Sequence, residues 1–150
     1  MKVGIIGSGM VGATAAYANM FRKAASDIVL IDVNKKRAIA EAQDIMHAVP
    51  FAAATDVYTG SYENLKDAKV VIIAAGANQK PGETRLMLME KNAAIMRAII
   101  SKTTSVNPST LFLIATNPVD IITHICTGIA KELGISLSRI IGTGTTLDTA

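Results

Sequence analysis

Four stretches of this chain are apolar without interruption. They read KVGIIG from Lys2, DIVLID from Asp27, KVVIIAAG from Lys69 and TLFLIATNP from Thr110. A strand with one face in water alternates apolar and polar residues, because successive side chains point to opposite faces. These runs do not alternate, so each is expected to be a strand covered on both faces, as in parallel sheets. Between them lie longer segments with helical patterning: Met10 to Lys23, KKRAIAEAQDIMHA, ETRLMLMEKNAAIMRAIISK and VDIITHICTGIAKELG, the last closed by Gly134. TDVYTG is a weaker strand, and RIIGTGTTLD follows the last helix. Parallel strands need helical crossovers, and those crossovers are right-handed. The pattern predicts an α/β domain, a doubly wound parallel sheet with helices on both faces.

With 150 residues, half of them hydrophobic, the chain is the size of one domain and can bury a real core. No internal linker, low-complexity tract or boundary interrupts it. Aromatic residues make up 4%, so the core must be aliphatic. A mean hydropathy of +0.37 fits a doubly covered sheet or a surface that a partner hides. The formal charge of +3 raises the question of nucleic acid. The basic residues are scattered, however, and lack interleaved aromatics, which argues for solvated helix faces. One cysteine, Cys126, gives no disulfide framework. Two histidines, His47 and His124, with that cysteine do not make a metal site unaided. The amino-terminal apolar stretches are too short and too broken by glycine to span a bilayer. A cytoplasmic protein without membrane or nucleic-acid partners is expected.

Gly7-Ser8-Gly9-Met10-Val11-Gly12 joins the first strand to the first helix in the order G-x-G-x-x-G. Gly7 allows the tight turn, Gly9 clears space for a pyrophosphate against the backbone, and Gly12 lets the helix approach the strand. The free N–H groups of the helix start favour phosphate. Asp32 ends the second strand 20 residues after Gly12, where a carboxylate accepts ribose hydroxyls and repels an added phosphate. A Rossmann-type domain selective for NAD follows. Two alternatives stay open at this point: Asp32 as an N-cap of the next helix, and NADP admitted by Lys35, Lys36 and Arg37.

GANQKPGETRL, ATNPVDI and IGTGTTLDTA, in this order, resemble the successive signatures of the lactate/malate dehydrogenase family, and within it those of bacterial L-lactate dehydrogenases. The resemblance covers Lys2 to Ala150. It implies a lid after the fourth strand, with Arg85 as the catalytic arginine that stabilises charge on a 2-oxo acid's carbonyl oxygen once water is excluded. Gln79 matches the specificity position, where relatives acting on malate carry arginine. An unpaired carboxylate buried against an amide would cost on the order of 3–5 kcal/mol, so pyruvate and lactate are implied. Pro81 and Gly82 limit and permit bending of the lid. Asn117 is implied at the substrate and nicotinamide, and Asp148 at the edge of the substrate site. Gly76, Ala77, Ala115, Thr116, Val11, Arg37, Tyr62 and Thr143 are implied to touch NAD. Met87 departs from the family, whose members commonly have an acidic residue there. It makes the junction of lid and helix more apolar.

The family's proton-donating histidine sits in a Gly-Glu-His-Gly-like motif that does not occur here. His47 matches a structural histidine, while His124 and Cys126 read as packing. The arginine for the substrate carboxylate follows LDTA in relatives. The expectation is therefore the cofactor half of an L-lactate dehydrogenase, residues 1–150, lacking its carboxyl-terminal substrate domain and inactive alone, from a homotetrameric parent. The alternatives are a malate dehydrogenase of the same family, or a nucleotide-binding module without turnover.

Overall fold

The computed structural model describes residues 1–52, 54–79 and 81–144. Six parallel strands form one sheet: β1 (Lys2–Ile6), β2 (Asp27–Ile31), β3 (Asp56–Thr59), β4 (Ala68–Ile73), β5 (Leu111–Ile114) and β6 (Ile140–Gly142), in the order β3-β2-β1-β4-β5-β6. The helices are α1 (Met10–Phe21), α2 (Lys35–Ala48), α3 (Arg85–Val106) and α4 (Val119–Glu132). This is the doubly wound sheet expected from the apolar runs.

The two-residue period divides the core. Ile28 and Leu30, with Val3, Ile5 and Ile72, pack against Ala16 and Met20 of α1 and Ala42 and Ile45 of α2. Val29 and Ile31, with Ile6, Val71 and Ile73, pack against Met96, Ile99 and Ile100 of α3 and Ile122 and Cys126 of α4. Each central strand thus feeds both layers, which is why no polar alternation shows in its sequence. Chain order reverses between neighbouring β1 and β4, and the crevice at their carboxyl ends is where such sheets bind ligands.

Several element boundaries differ from the sequence reading, most clearly those of α3 and β4. Helix α3 begins at Arg85, with Thr84 as N-cap accepting from the Met87 N–H at 3.3 Å, and runs on to Val106. The four residues beyond Lys102 include Thr103 and Thr104, poor helix formers, yet Thr103 is buried and tertiary packing outweighs propensity. Strand β4 stops at Ile73 rather than Gly76. Its next residue still donates to the ladder, from the Ala74 N–H to Ile6 O at 2.9 Å.

Candidate functional site

The hydrogen-bond ladder carries one residue past the ends of β1, β4, β5 and β6. Gly7 N–H donates to Ile31 O at 2.8 Å, Ala115 N–H to Ile73 O at 2.9 Å and Thr143 N–H to Ile114 O at 3.1 Å. The first residues of four connecting segments are thereby aligned on one edge by backbone alone. Gly7 has φ +99°, and a Cβ there would lie 2.5 Å from Ala75 N. Both the handedness and the closeness of β4 require glycine. A Cβ on Gly12 would lie 1.8 Å from Gly7 O, so this glycine lets α1 start against the turn. A Cβ on Gly9 would meet nothing within 4 Å. Gly9 is not demanded by packing. It faces open space at the start of α1, the cradle a pyrophosphate needs.

Asp32 is held from two sides. Its Oδ2 accepts from Ser8 N–H at 2.6 Å and its Oδ1 from Asn34 N–H at 2.8 Å. The carboxylate is tied to the glycine turn and cannot swing away from it. The N-cap of α2 is Asn34, whose Oδ1 accepts from Arg37 N–H at 3.1 Å. Capping therefore does not account for Asp32.

A cavity of about 370 Å³ opens along this edge. Its floor is Ile6, Gly7, Gly9 and Ile31, and Asp32, Val33 and Tyr62 form one wall. Ala74, Ala75 and Gly76 form the other, closed by Ile95, Ala98, Ile99 and Lys102 of α3. Of the residues singled out from the sequence, Gly7, Gly9, Asp32, Tyr62 and Gly76 meet in this cavity. Gly12 supports it from below. Val11, on the first turn of α1, and Arg37 are exposed and do not line it, and Arg37 pairs with Glu41 at 3.6 Å. Burial pushes the Tyr62 phenol above its ordinary pKa.

Beyond Gly76 the connection is pinned at a few points. The Ala77 N–H donates to Oδ1 of buried Asn92 at 2.8 Å. Gln79 Nε2 donates to Glu83 O at 2.9 Å. The Glu83 carboxylate, only 5% exposed, pairs with Lys91. Gly82 takes φ +79°, which a residue with a Cβ rarely adopts. Gln79 and Arg85 are exposed, Arg85 as the first residue of α3. On the far side, Thr116 is buried and its hydroxyl donates to Ala75 O at 2.7 Å, binding the ends of β4 and β5 together. Thr143 Oγ1 donates to Ile114 O at 3.1 Å. Ala115 is half-buried behind β5, and Asn117 is exposed before a cis bond to Pro118. Asp148 lies outside the described residues.

Sequence reasoning missed Asn92, the helix residues Ile95, Ala98, Ile99 and Lys102, and Val33. The 95, 98, 99, 102 spacing marks a helix face, but it does not say whether that face meets core or cavity. His47 is exposed at the end of α2, and His124 is exposed on α4. Cys126 is fully buried, and burial pushes its thiol up to about 12. Among the described residues, no three His, Cys, Asp or Glu side chains group as metal ligands, and no helix is long and apolar enough to cross a membrane.

Glycine turn, anchored Asp32 carboxylate and switch-point cavity together define a dinucleotide-binding domain of the Rossmann type. Residues 1–142 match the lactate/malate dehydrogenase family, NAD binding domain. The chain belongs to the lactate/malate dehydrogenase family and is its NAD-binding domain. It is 55% identical over 150 residues to the L-lactate dehydrogenase of Geotalea daltonii, covering all of this chain and 48% of that protein. It is 47% identical to that of Thermus aquaticus, again over the full chain and 47% of the relative. Among solved structures, the minor L-lactate dehydrogenase of Enterococcus mundtii superposes with a TM-score of 0.89 at 42% identity, over 98% of this chain and 46% of that one. The Archaeoglobus fulgidus malate dehydrogenase in complex with NADH superposes at 0.83 with 34% identity, over 93% of this chain and 47% of that one. The chain thus spans about half the length of these relatives.

Proposed function

We propose that this chain is the cofactor half of an NAD-dependent L-lactate dehydrogenase catalysing pyruvate + NADH + H⁺ ⇌ lactate + NAD⁺. The observation that carries the reading is Gln79, an exposed neutral amide on the segment leading from the cavity to Arg85. An amide offers no charge to a second substrate carboxylate, whereas the substrate of a malate enzyme has one to pair. Bound NADH supplies the hydride. Gly7, Gly9 and the start of α1 hold the pyrophosphate, with Val11 beside it and Gly12 behind. Asp32 takes the adenosine ribose, and Tyr62 and Arg37 flank that end. Gly76, Ala77, Ala115, Thr116 and Thr143 border the nicotinamide half, with Asn117 reaching substrate and nicotinamide. Closure of the 76–84 segment brings Arg85 over the carbonyl oxygen and excludes water, so that its charge acts at low dielectric. Asp148 borders the substrate. The proton donor and the cation for the substrate carboxylate belong to a second domain of the parent protein.

On this reading residues 1–150 are one cofactor domain, the parent is a cytoplasmic homotetramer of fermentative or glycolytic carbon metabolism, and the partners are small molecules. Two measurements test it. Calorimetric titration of the chain should give NADH binding well above NADPH binding. In the two-domain enzyme, Gln79→Arg should move the kcat/KM ratio from pyruvate toward oxaloacetate by at least about a hundredfold. An unchanged ratio would refute the role of Gln79 and return the malate reading to equal standing.

A further inference from the structure

Lys102 lines the adenosine end of the cavity and has no role yet in the proposed cofactor binding. With pyrophosphate on the glycine turn and ribose on Asp32, a base carried by that ribose lies beyond Asp32. The cavity there is lined by Val33, Tyr62, Ile95, Ala98, Ile99 and Lys102. The last four recur at i, i+3, i+4 and i+7, so they share one face of α3 that extends about 10 Å down the slot. Three present aliphatic carbon; the fourth presents an ammonium. Lys102 Nζ lies 5.6 Å from the Tyr62 ring centroid, within the range of a cation–π contact. Among the described residues, Lys102 belongs to none of the ion pairs, which are Arg37–Glu41, Lys91–Glu83 and Arg97–Glu132.

We infer that Lys102 is a specificity and positioning residue for the base of the dinucleotide, holding Tyr62 as the wall of the slot and presenting its ammonium to the base's acceptor edge. The ammonium carries three donors and no acceptor. A purine's ring nitrogens accept from it, while the flat aliphatic wall of α3 stacks on the base. The same cation sits over the electron-rich face of Tyr62, so that one charge orients both ring systems. This inference rests on the NAD reading of the cavity.

The test is titration of the 150-residue chain with NADH, with AMP and with reduced nicotinamide mononucleotide, at low and high ionic strength. Lys102→Met should weaken NADH and AMP about three- to tenfold at low salt and leave the mononucleotide unchanged. High salt should leave most of that gap in place, because the partners of the ammonium, a purine edge and a phenol ring, are neutral. Lys102→Arg should restore most of the affinity, since it keeps charge and ring contact. In a Tyr62→Leu background the effect of Lys102→Met should shrink, because the two side chains act together. Equal affinity of Lys102→Met and the native chain for AMP would overturn the inference while leaving the NAD reading intact. A loss that high salt abolishes would assign Lys102 to the phosphates, and a loss that arginine fails to restore would reduce it to packing; either would overturn the inference equally. Absence of NADH binding by the native chain would instead overturn the NAD reading, and the inference with it.

Discussion

The two ends of the site are built differently. At the glycine-turn end, position is set by backbone: Gly7 on the β2 ladder, Ser8 N–H on Asp32, and, at Gly7 and Gly12, glycines that neighbouring main chain leaves no room to replace. At the other end, the segment from Gly76 to Thr84 carries exposed Gln79 and leads to exposed Arg85 at the start of α3, and it is pinned through Asn92, Glu83 and the Thr84 cap. The first end is fixed before ligand arrives and suits a cofactor that enters and leaves whole. The second is tethered at a few points and suits a group that must be delivered at the moment of reaction. A firmly held cradle and a sparsely tethered arm follow from where the chain places its hydrogen bonds.

If the cradle is as rigid as its contacts imply, its glycines will separate into two kinds. Gly12→Ala drives a Cβ into Gly7 O and should cost on the order of 3–5 kcal/mol, read as a large fall in Tm. Gly9→Ala meets no protein atom and should leave Tm within a degree or two while NADH binding in a titration is lost. A fall in Tm for both would mean that Gly9 is structural. Asp32→Asn keeps the shape but removes the charge that the Ser8 and Asn34 N–H groups face. NADH affinity should drop about ten- to a hundredfold, and preference over NADPH should narrow.

At the arm, Asn92→Leu removes the acceptor of the Ala77 N–H and should cost about 1–3 kcal/mol, with the 76–84 segment cut faster in limited proteolysis. Between the two ends lies a common core, which pH can probe. The Cys126 thiol ionises at an ordinary 9.0 when exposed, and burial raises it to about 12 in the fold. The folded state keeps the proton that the unfolded state gives up. Its stabilising contribution is therefore complete below pH 9 and declines as pH rises towards 12, by at most about 1.4 kcal/mol per pH unit. Cys126→Ala should flatten that part of the stability curve in alkaline urea titrations, and the native thiol should resist thiol reagents at neutral pH. The smallest effect belongs to Lys91→Met. It should change stability by under about 1 kcal/mol, because the lysine itself is half in water, yet speed proteolysis of the segment. If Lys91→Met proves more destabilising than Asn92→Leu, the arm is held by charge rather than by its backbone anchor.

Which parts of the site are legible in sequence follows the same division. Gly7, Gly9, Gly12 and Asp32 could be assigned from local spacing because each answers a local demand: a turn, a clearance, a helix start and a strand end. Gln79 and Arg85 could be marked out through family resemblance, but their residue types alone fit any solvated loop. Asn92 could not be found, because its function is to meet Ala77, 15 residues earlier in the chain. Arg37 lies on the exposed surface of α2, with Glu41 one turn on as its ion partner, and does not line the cavity.

The apolar runs, the helix lengths and the glycine turn determined a parallel doubly wound sheet, because hydrophobic periodicity and backbone sterics act over a few residues at a time. Tertiary structure alone decided which face of α3 meets the cavity, that Lys102 comes to lie over Tyr62, and that the Asp32 carboxylate is clamped by the Ser8 N–H. Those contacts join segments that only the closing of the sheet brings together.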